Sequence, residues 1–203
     1  MLSDQDDVWL PEKVKKSYET LIENNADLVF GDLEVVDENL KTMYKSFNKY
    51  MLLDRKIKKY INSYKVNYLY NCVTGCTLIS KSKWIKEIVP IPTDSKYIIH
   101  DYWMGLIIAL KGKLAYMPEA YIKYRQHANN VVGYKDEGLQ KLKRQFKIAF
   151  KENISMRANI ANELKTGYGN MLTPNALKVV SHLIDYRKNI KSKMWLIGNK
   201  NFR

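Results

Sequence analysis

Three carboxylates lie within four consecutive positions near the start of the chain, at Asp4, Asp6 and Asp7. Like charges this close repel one another unless a positive group lies between them. Carboxylate oxygens are hard ligands that suit Mg²⁺ or Mn²⁺, and these ions also bind phosphate groups. The cluster therefore predicts a divalent-metal site beside a phosphorylated ligand. A simpler interpretation is also open, in which Asp6 or Asp7 caps a helix that begins at Pro11.

A fourth carboxylate, Asp101, stands in the string His100-Asp101-Tyr102-Trp103 at the start of an apolar stretch. A carboxylate held within hydrogen-bond reach of a hydroxyl can remove its proton as a general base. Asp101 could equally cap the helix that follows, and the two roles are compatible because a helix start holds a side chain rigidly.

Two further segments contain residue types that bind ligands. In Asn71–Thr77, Gly75 would let the backbone approach a ligand, although a bulge or a tight packing contact is the better-supported interpretation. In Tyr124–His127, a lone histidine at a strand end such as His127 is more often structural or merely exposed, and Arg125 could be a surface residue or pair with an acidic neighbour. His182 has no second ligand at a useful spacing and is interpreted as structural.

Alternating helices and strands must position these residues. Apolar periodicity predicts a helix over 11–25 whose inner face is Val14, Tyr18, Leu21 and Ile22, and then a strand over 27–36. The later predicted elements are one or two short helices within 43–70, a strand over 72–80, a helix over 81–89, a helix over 101–110, and strands over 114–117 and 120–124.

After Gly133 the sequence becomes basic and helical, which predicts a division into residues 1–133 and residues 134–203. Two amphipathic helices are predicted there. The first has Leu139, Leu142, Phe146 and Phe150 on one face, and the second opens at Thr173-Pro174 with Leu177, Val180, Leu183 and Ile184 on its inner face.

Composition sets the broad class. The 203 residues are 46% hydrophobic and 27% charged, as in globular proteins, and no apolar run approaches the ~20 residues that span a bilayer. Cys72 and Cys76 are predicted to be buried free thiols in a reducing cytoplasm. The net charge of +13 indicates an anionic partner, either nucleic acid, anionic lipid or a phosphorylated substrate. No nucleic-acid motif accompanies it, so nucleic acid ranks last.

Four segments of the chain resemble, in their order, the motifs of family 2 glycosyltransferases. They are Ser3-Asp4-Gln5-Asp6-Asp7-Val8-Trp9, the 71–77 segment, His100-Asp101 and Arg125-Gln126-His127. The resemblance is to the GT-A type and its rhamnosyltransferase-like branch, and it covers roughly residues 2 to 133. It implies an α/β fold, a partial GT-A (Rossmann-like) mixed sheet with flanking helices, followed by a basic helical tail.

The resemblance also implies roles for individual residues. Asp4, Asp6 and His127 would bind the metal, Mn²⁺ or Mg²⁺, and Asp101 would be the general base of an inverting transfer. The implied contacts to donor and acceptor are Gln5, Thr74, Gly75, His100, Trp103 and Arg125.

The implied reaction transfers a hexose from a dTDP- or UDP-linked sugar to a saccharide or lipid-linked saccharide in bacterial surface polysaccharide synthesis. The setting would be cytoplasmic, peripheral at the inner face of the membrane, where the basic tail would meet anionic lipid. An inactive remnant that serves as an interaction module, and a basic nucleic-acid-binding protein, are the alternatives.

The chain departs from the family in one respect. GT-A enzymes place a nucleotide-binding half before the acidic motif, which here begins at position 4. We therefore expect a carboxy-terminal part of a glycosyltransferase, as from a split or truncated gene, with little or no activity in isolation. Apolar surface left uncovered would favour self-association or pairing with a separate amino-terminal half.

Overall fold

The computed structural model describes residues 1–61, 71–92, 98–126 and 157–199. The chain divides into two compact units, one comprising Met1–Ile91 and Ile99–Lys135, the other Pro92–Ile98 and Asp136–Arg203. The first is an α/β unit with an open mixed sheet flanked by helices, which confirms the predicted fold class. The described part of the second is helical.

The first unit alternates short helices with the strands of one sheet. Its described elements, in chain order, are β1 (Val8–Trp9), α1 (Lys13–Glu23), β2 (Leu28–Val36), β3 (Thr42–Tyr44), α2 (Phe47–Tyr50), α3 (Asp54–Tyr60), β4 (Ile79–Ser80), α4 (Ile85–Ile88), α5 (His100–Lys111) and β5 (Leu114–Arg125). The helices α2 and α3 confirm the short helices expected after residue 43, whereas residues 62–70 lie outside the described ranges.

Two long parallel strands form the centre of the sheet. β2 pairs with β5 from Leu28 opposite Leu114 to Val36 opposite Arg125. β1 runs antiparallel along the other edge of β5, and β3 and β4 pair with β2 at its opposite ends. The acidic residues that precede β1 are thus brought to the carboxyl end of β5, an edge where α/β sheets commonly bind ligands.

β5 is one continuous strand rather than the two predicted ones. Its register against β2 jumps from Met117 opposite Gly31 to Ala120 opposite Asp32, so Pro118 and Glu119 are extra residues on the β5 side. Proline has no backbone N–H to donate to a neighbouring strand, which explains why pairing lapses there and resumes two residues later.

The predicted helix near the amino terminus is confirmed as α1, but its buried face is not the predicted one. Leu21 is buried as expected, together with Lys13 and Ser17, whereas Val14, Tyr18 and Ile22 are 50, 57 and 56% exposed. The ammonium of Lys13 lies 3.4 Å from the centroid of the Trp9 ring. A cation–π contact of this kind lets a lysine occupy an inner position that apolar periodicity assigns to hydrophobic residues.

The predicted strand over 72–80 is wrong except at its end, β4. Its middle is a single 3-10 turn, Gly75–Thr77, closed by hydrogen bonds from the Thr77 and Leu78 N–H groups to the carbonyls of Thr74 and Gly75. The preceding residues pack closely on α5, because a Cβ at Gly105 would lie 2.7 Å from a methyl carbon of Val73. Helix α5 itself is confirmed and ends at Gly112, as predicted.

The described part of the second unit consists of helical residues 157–168, α6 (Pro174–Asp185) and α7 (Ile190–Gly198). The predicted start of α6 is confirmed, since the Thr173 hydroxyl accepts a hydrogen bond from the Ala176 N–H at 3.2 Å. Val180 and Leu183 are buried as expected, and Leu177 and Ile184 are half-buried. The helix predicted over 139–150 lies outside the described residues. None of the described helices is long and apolar enough to cross a bilayer.

Candidate functional site

The acidic residues form an exposed turn before β1 and are tied to the sheet through Asp7. The Arg125 N–H, at the last residue of β5, donates to Oδ1 of Asp7 at 3.2 Å. The interpretation of Asp6 or Asp7 as a helix cap is wrong, because Glu12 is the N-cap of α1 and no side chain caps it. The turn is therefore anchored at its end by a strand, which leaves Asp4 and Gln5 exposed.

Asp4, Asp7 and Cys76 each place a potential ligand atom within 4.8 Å of the others, the one such group of three among the described residues. The ligand set that the resemblance implied included Asp4 but neither Asp7 nor Cys76, although Asp7 belongs to the carboxylate cluster from which a metal site was predicted. Asp6 lies in the same turn and is half-buried, but it does not belong to this group. His127 lies outside the described residues, directly after Gln126, so its place in a metal shell stays a prediction.

Burial shifts the pKa values of two members of this group, Asp7 and Cys76. Burial raises the pKa of Asp7 to about 6, the Arg125 N–H opposes that rise, and the charges of Asp4 and Asp6 add to it. Burial also raises the pKa of the Cys76 thiol well above its usual range. Cys76 is therefore a thiol at neutral pH and a poor ligand for a hard cation.

Lys13 is a buried cation that interacts electrostatically with Asp7 and Cys76 and so partly offsets the negative charge of this group. It is 1% exposed, and its Nζ has no hydrogen-bond partner. Burial lowers the pKa of Lys13 to about 8, while the neighbouring Cys76 and Asp7 raise it. The sequence gives little indication that Lys13 belongs to the site. Only its position, four residues after Trp9 and six after Asp7, distinguishes it from the other lysines.

The residues present fit a divalent cation through their carboxylates. Oδ2 of Asp7 is buried and no N–H or O–H group of the described residues donates to it, although the Cys76 thiol hydrogen-bonds with the Asp7 carboxylate and lowers its pKa. Such a lone pair is costly unless a donor or a cation satisfies it. Asp4 is exposed and lies within 4.8 Å of the Asp7 ligand atom, so a cation held between the two carboxylates would be accessible to a second ligand such as a phosphate.

Asp101 lies in the first turn of α5 and is 9% exposed. Its Oδ2 accepts a hydrogen bond from the Gly75 N–H at 2.8 Å, and its Oδ1 accepts one from the Tyr102 N–H at 2.6 Å. Ile99, not Asp101, is the N-cap of the helix, so the predicted cap is wrong. The two backbone donors fix the plane of the carboxylate and leave lone pairs on both oxygens for a further donor.

Gly75 makes this arrangement sterically feasible. A Cβ at Gly75 would lie 3.2 Å from Oδ2 of Asp101 and 3.4 Å from Nε2 of His100. The close approach that the sequence suggested is thus with Asp101 and His100 of the protein itself. Because Cys76 follows in the same turn, Gly75–Thr77 contacts Asp101 at one residue and the Asp7 group at the next.

The other predicted site residues divide between exposed and packed positions. Gln5 and His100 are exposed, and Thr74 is half-buried with its carbonyl accepting from Thr77. Nη1 of Arg125 donates to the Glu38 carbonyl at 3.3 Å. Trp103 is fully buried, and its Nε1 donates to the Ile88 carbonyl at 3.1 Å, so the structure gives it a packing role.

His182 has the structural role that the sequence predicted. Its Nδ1 lies 3.1 Å from the Ser192 hydroxyl, and its ring stacks on Trp195 with centroids 4.1 Å apart. Cys72 and Cys76 are buried free thiols, as predicted.

Comparison with known proteins gives two distant similarities. The chain is 24% identical over 188 residues to the dTDP-rhamnosyl transferase RfbG of Shigella flexneri, covering 84% of this chain and 61% of that protein. It is 23% identical over 150 residues to the UDP-Glc:alpha-D-GlcNAc-diphosphoundecaprenol beta-1,3-glucosyltransferase WfgD of Escherichia coli, covering 71% of this chain and 51% of that protein.

No protein-family model matches the chain. The chain spans between half and two thirds of the length of these two curated relatives. Both relatives are glycosyltransferases with different donors in their names. Together with the α/β sheet, these similarities support a glycosyltransferase family for this chain.

Proposed function

We propose that this chain is the acceptor-side part of an inverting, metal-dependent glycosyltransferase of the GT-A type. It would transfer a hexose from a dTDP- or UDP-linked sugar to a saccharide acceptor in bacterial surface polysaccharide synthesis. The names of the two relatives supply the classes of donor, and one of them supplies a lipid-diphosphate saccharide as the class of acceptor.

The observation that supports this proposal most is the Gly75–Thr77 turn. It holds the Asp101 carboxylate through the Gly75 N–H, and its next residue, Cys76, lies beside Asp4 and Asp7. An inverting, metal-dependent glycosyl transfer uses both of these features, a base for the acceptor and a negatively charged turn that can hold a cation against a diphosphate.

Asp101 is the proposed base. As the acceptor hydroxyl oxygen forms its bond to the anomeric carbon, its proton passes to the Asp101 carboxylate. The bond from that carbon to the diphosphate breaks with its electron pair on the leaving group, so the anomeric configuration inverts. The two backbone hydrogen bonds to Asp101 would hold the carboxylate in place as it takes the proton.

Asp4 and Asp7, with Asp6 of the same turn, would hold the Mn²⁺ or Mg²⁺ ion, and that ion would offset the charge of the leaving diphosphate. Asp7 would also keep the turn on β5 through the Arg125 N–H. Arg125, His100, Gln5 and Thr74 remain proposed contacts to donor or acceptor.

Calorimetry on the full chain tests the metal and nucleotide part of the proposal. We expect Mn²⁺ together with UDP or dTDP to give binding heat that neither component gives alone. The double variant Asp4→Asn/Asp7→Asn should weaken this binding at least tenfold, whereas Glu12→Gln/Glu23→Gln, at the exposed N-cap and the exposed last residue of α1, should leave it unchanged. No heat with the wild-type chain, or equal heat with both variants, would count against the proposal.

The proposed base is tested separately. In any transfer that the chain supports from dTDP- or UDP-sugars, Asp101→Asn should lower kcat about 100-fold or more, a typical contribution of a general base. Its nucleotide affinity should stay within about twofold of wild type, because Asp101 contacts the Gly75 and Tyr102 N–H groups rather than the acidic turn. A variant that retains turnover would eliminate Asp101 as the base.

A further inference from the structure

Helix α7 has one face packed on α6 and an opposite face whose large apolar side chains are exposed. Ser192 and Leu196 are 4 and 6% exposed. His182 of α6 holds this face through Ser192 at 3.1 Å and through its stack on Trp195. The Asn189 side chain caps the helix by accepting from the Lys191 and Ser192 N–H groups. The orientation of α7 on α6 is therefore defined, and so is the face that it turns outward.

That outward face is an apolar ridge. Ile190, Met194 and Ile197 are 68, 60 and 52% exposed. Their spacing of four and then three residues places them on one line along the helix. Three large apolar side chains in a row are not what a solvated helix face normally presents, and such patches mark interaction surfaces.

Positive charge surrounds the ridge. At 100° per residue, Lys191 and Lys193 flank the line of Ile190 and Met194 on its two sides, and both lysines are exposed. Arg187 and Lys188, in the connection before α7, are exposed as well. From residue 186 to residue 203 the sequence contains six Lys or Arg residues and no Asp or Glu.

We propose that this face of α7 docks on an anionic lipid bilayer. An apolar line bordered by lysines fits the boundary between headgroups and acyl chains, since the apolar side chains enter the hydrocarbon edge while the ammonium groups meet lipid phosphates. A nucleic-acid backbone could contact the lysines through its phosphates, but this contact would not bury the three exposed apolar side chains. The proposal goes beyond the transferase function and does not depend on it.

Co-sedimentation of the full chain with lipid vesicles tests the proposal. We expect binding to phosphatidylcholine vesicles containing about 30% phosphatidylglycerol and at least tenfold weaker partitioning to pure phosphatidylcholine. Lys191→Gln/Lys193→Gln should weaken binding about tenfold or more, as expected for the loss of two basic residues at an anionic surface. Ile190→Ser/Met194→Ser/Ile197→Ser should abolish the part of the binding that survives 0.5 M salt.

A matched control removes exposed apolar residues elsewhere. Ile85→Ser/Val89→Ser, at two positions 60 and 53% exposed in the sheet unit, should bind vesicles as the wild type does. Far-UV circular dichroism checks that each variant is folded, and a polar replacement at an exposed position should not disturb folding.

Three results would overturn the proposal. The first is unchanged vesicle binding in the triple serine variant. The second is equal loss of binding in the Ile85→Ser/Val89→Ser control. The third is tighter binding to a generic duplex or single-stranded oligonucleotide than to the anionic vesicles, with no effect of the serine substitutions, which would identify nucleic acid as the partner.

Discussion

Asp7 shows how much one side chain can organise at this site. Its Oδ1 accepts from the Arg125 N–H, its carboxylate lies beside Cys76, and the electrostatic influence of the buried Lys13 reaches it. One residue thus connects the acidic turn, the end of β5 and the Gly75–Thr77 turn. Burial makes this carboxylate costly for stability, and carboxylates with perturbed pKa values of this kind cluster at functional sites.

The pH dependence of stability tests the state of Asp7. Its pKa in the folded chain, about 6, lies above the usual 3.8, so the folded state binds this proton more tightly than the unfolded state. Stability from this group is therefore complete below about pH 4 and falls as the pH rises through 6. The free energy of unfolding of Asp7→Asn, relative to that of the wild type, should therefore increase by about 1–3 kcal/mol from pH 4 to pH 7.

Urea unfolding in metal-free buffer at the two pH values measures this gain. If the difference in the free energy of unfolding between variant and wild type does not change with pH, the pKa of Asp7 is not raised in the folded chain.

Gly75→Ala tests the close approach of the turn to Asp101. The new Cβ would lie 3.2 Å from Oδ2 and 3.3 Å from Cβ of Asp101, so the Asp101 side chain must give by a few tenths of an ångström. We expect a loss of about 1–3 kcal/mol in the free energy of unfolding, as for other overpacked sites.

Gly167→Ala is the matched control for that substitution. Gly167 is exposed within the helical residues 157–168, and a Cβ there meets nothing within 4 Å. It should be neutral or stabilising by up to about 1 kcal/mol, the gain in helix propensity. Equal stability of Gly75→Ala and wild type would mean that the contact relaxes without cost.

At the scale of elements, Asp27 joins the beginnings of the two central strands. Its Oδ2 accepts from the Lys113 N–H at 3.1 Å, just before β5, and its Oδ1 lies 2.8 Å from Nζ of Lys83, before α4. A Cβ at Gly112 would lie 2.8 Å from Oδ2 of Asp27, so a glycine is needed where α5 turns into β5. The parallel pairing of β2 and β5 is thus aligned at its starting end by a charged side chain.

Asp27→Asn should weaken this junction. Burial alone would raise the pKa of Asp27, but the hydrogen bonds from Lys83 and from the Lys113 backbone outweigh it and lower the pKa to about 2. A depressed pKa contributes stability above about pH 4 that is lost as the pH falls through 2. We expect the variant to lose about 1–2 kcal/mol at pH 7, as for a hydrogen bond to a charged group, and little near pH 2.

Chemical denaturation across this pH range provides the measurement. Lys15→Gln, which affects only an exposed helical ion pair of 3.9 Å, is a control that should change stability by less than about 0.5 kcal/mol. An equal loss at pH 2 and pH 7 for Asp27→Asn would exclude the charge as the cause.

At the scale of the whole molecule, the stripe on α1 is a second exposed apolar surface among the described residues, besides the ridge on α7. Val14, Tyr18 and Ile22 are each at least half exposed and follow one another at four-residue intervals. The longer relatives, of which the chain spans 61 and 51%, contain additional protein that this chain does not match. Uncovered apolar surface on a helix favours association, in proportion to the area removed from water.

Sedimentation velocity tests self-association through this stripe. We expect the wild-type chain to gain mass with concentration in the micromolar range, and Val14→Ser/Ile22→Ser to stay monomeric over that range. Both positions are exposed, so the substitutions should not unfold α1. A monomeric wild type, or a variant that associates equally, would contradict a role for this face.

The sequence by itself determined the local features whose signals are short-ranged. The helix start at Thr173-Pro174, the end of α5 at Gly112 and the extent of β2 follow from capping chemistry and apolar runs of neighbouring residues. The α/β class and the resemblance to glycosyltransferases also followed from residue types and their order.

Only the tertiary structure decided which side chains meet. Lys13 is buried because the Trp9 ring receives its ammonium, and the middle of the 72–80 segment is a turn whose Gly75 N–H donates to Asp101, 26 positions away in sequence. Periodicity describes one element at a time, whereas these contacts depend on how β1, α5 and β5 are arranged around the same turn. The grouping of Asp4 and Asp7 with Cys76 was therefore beyond the reach of the sequence pattern.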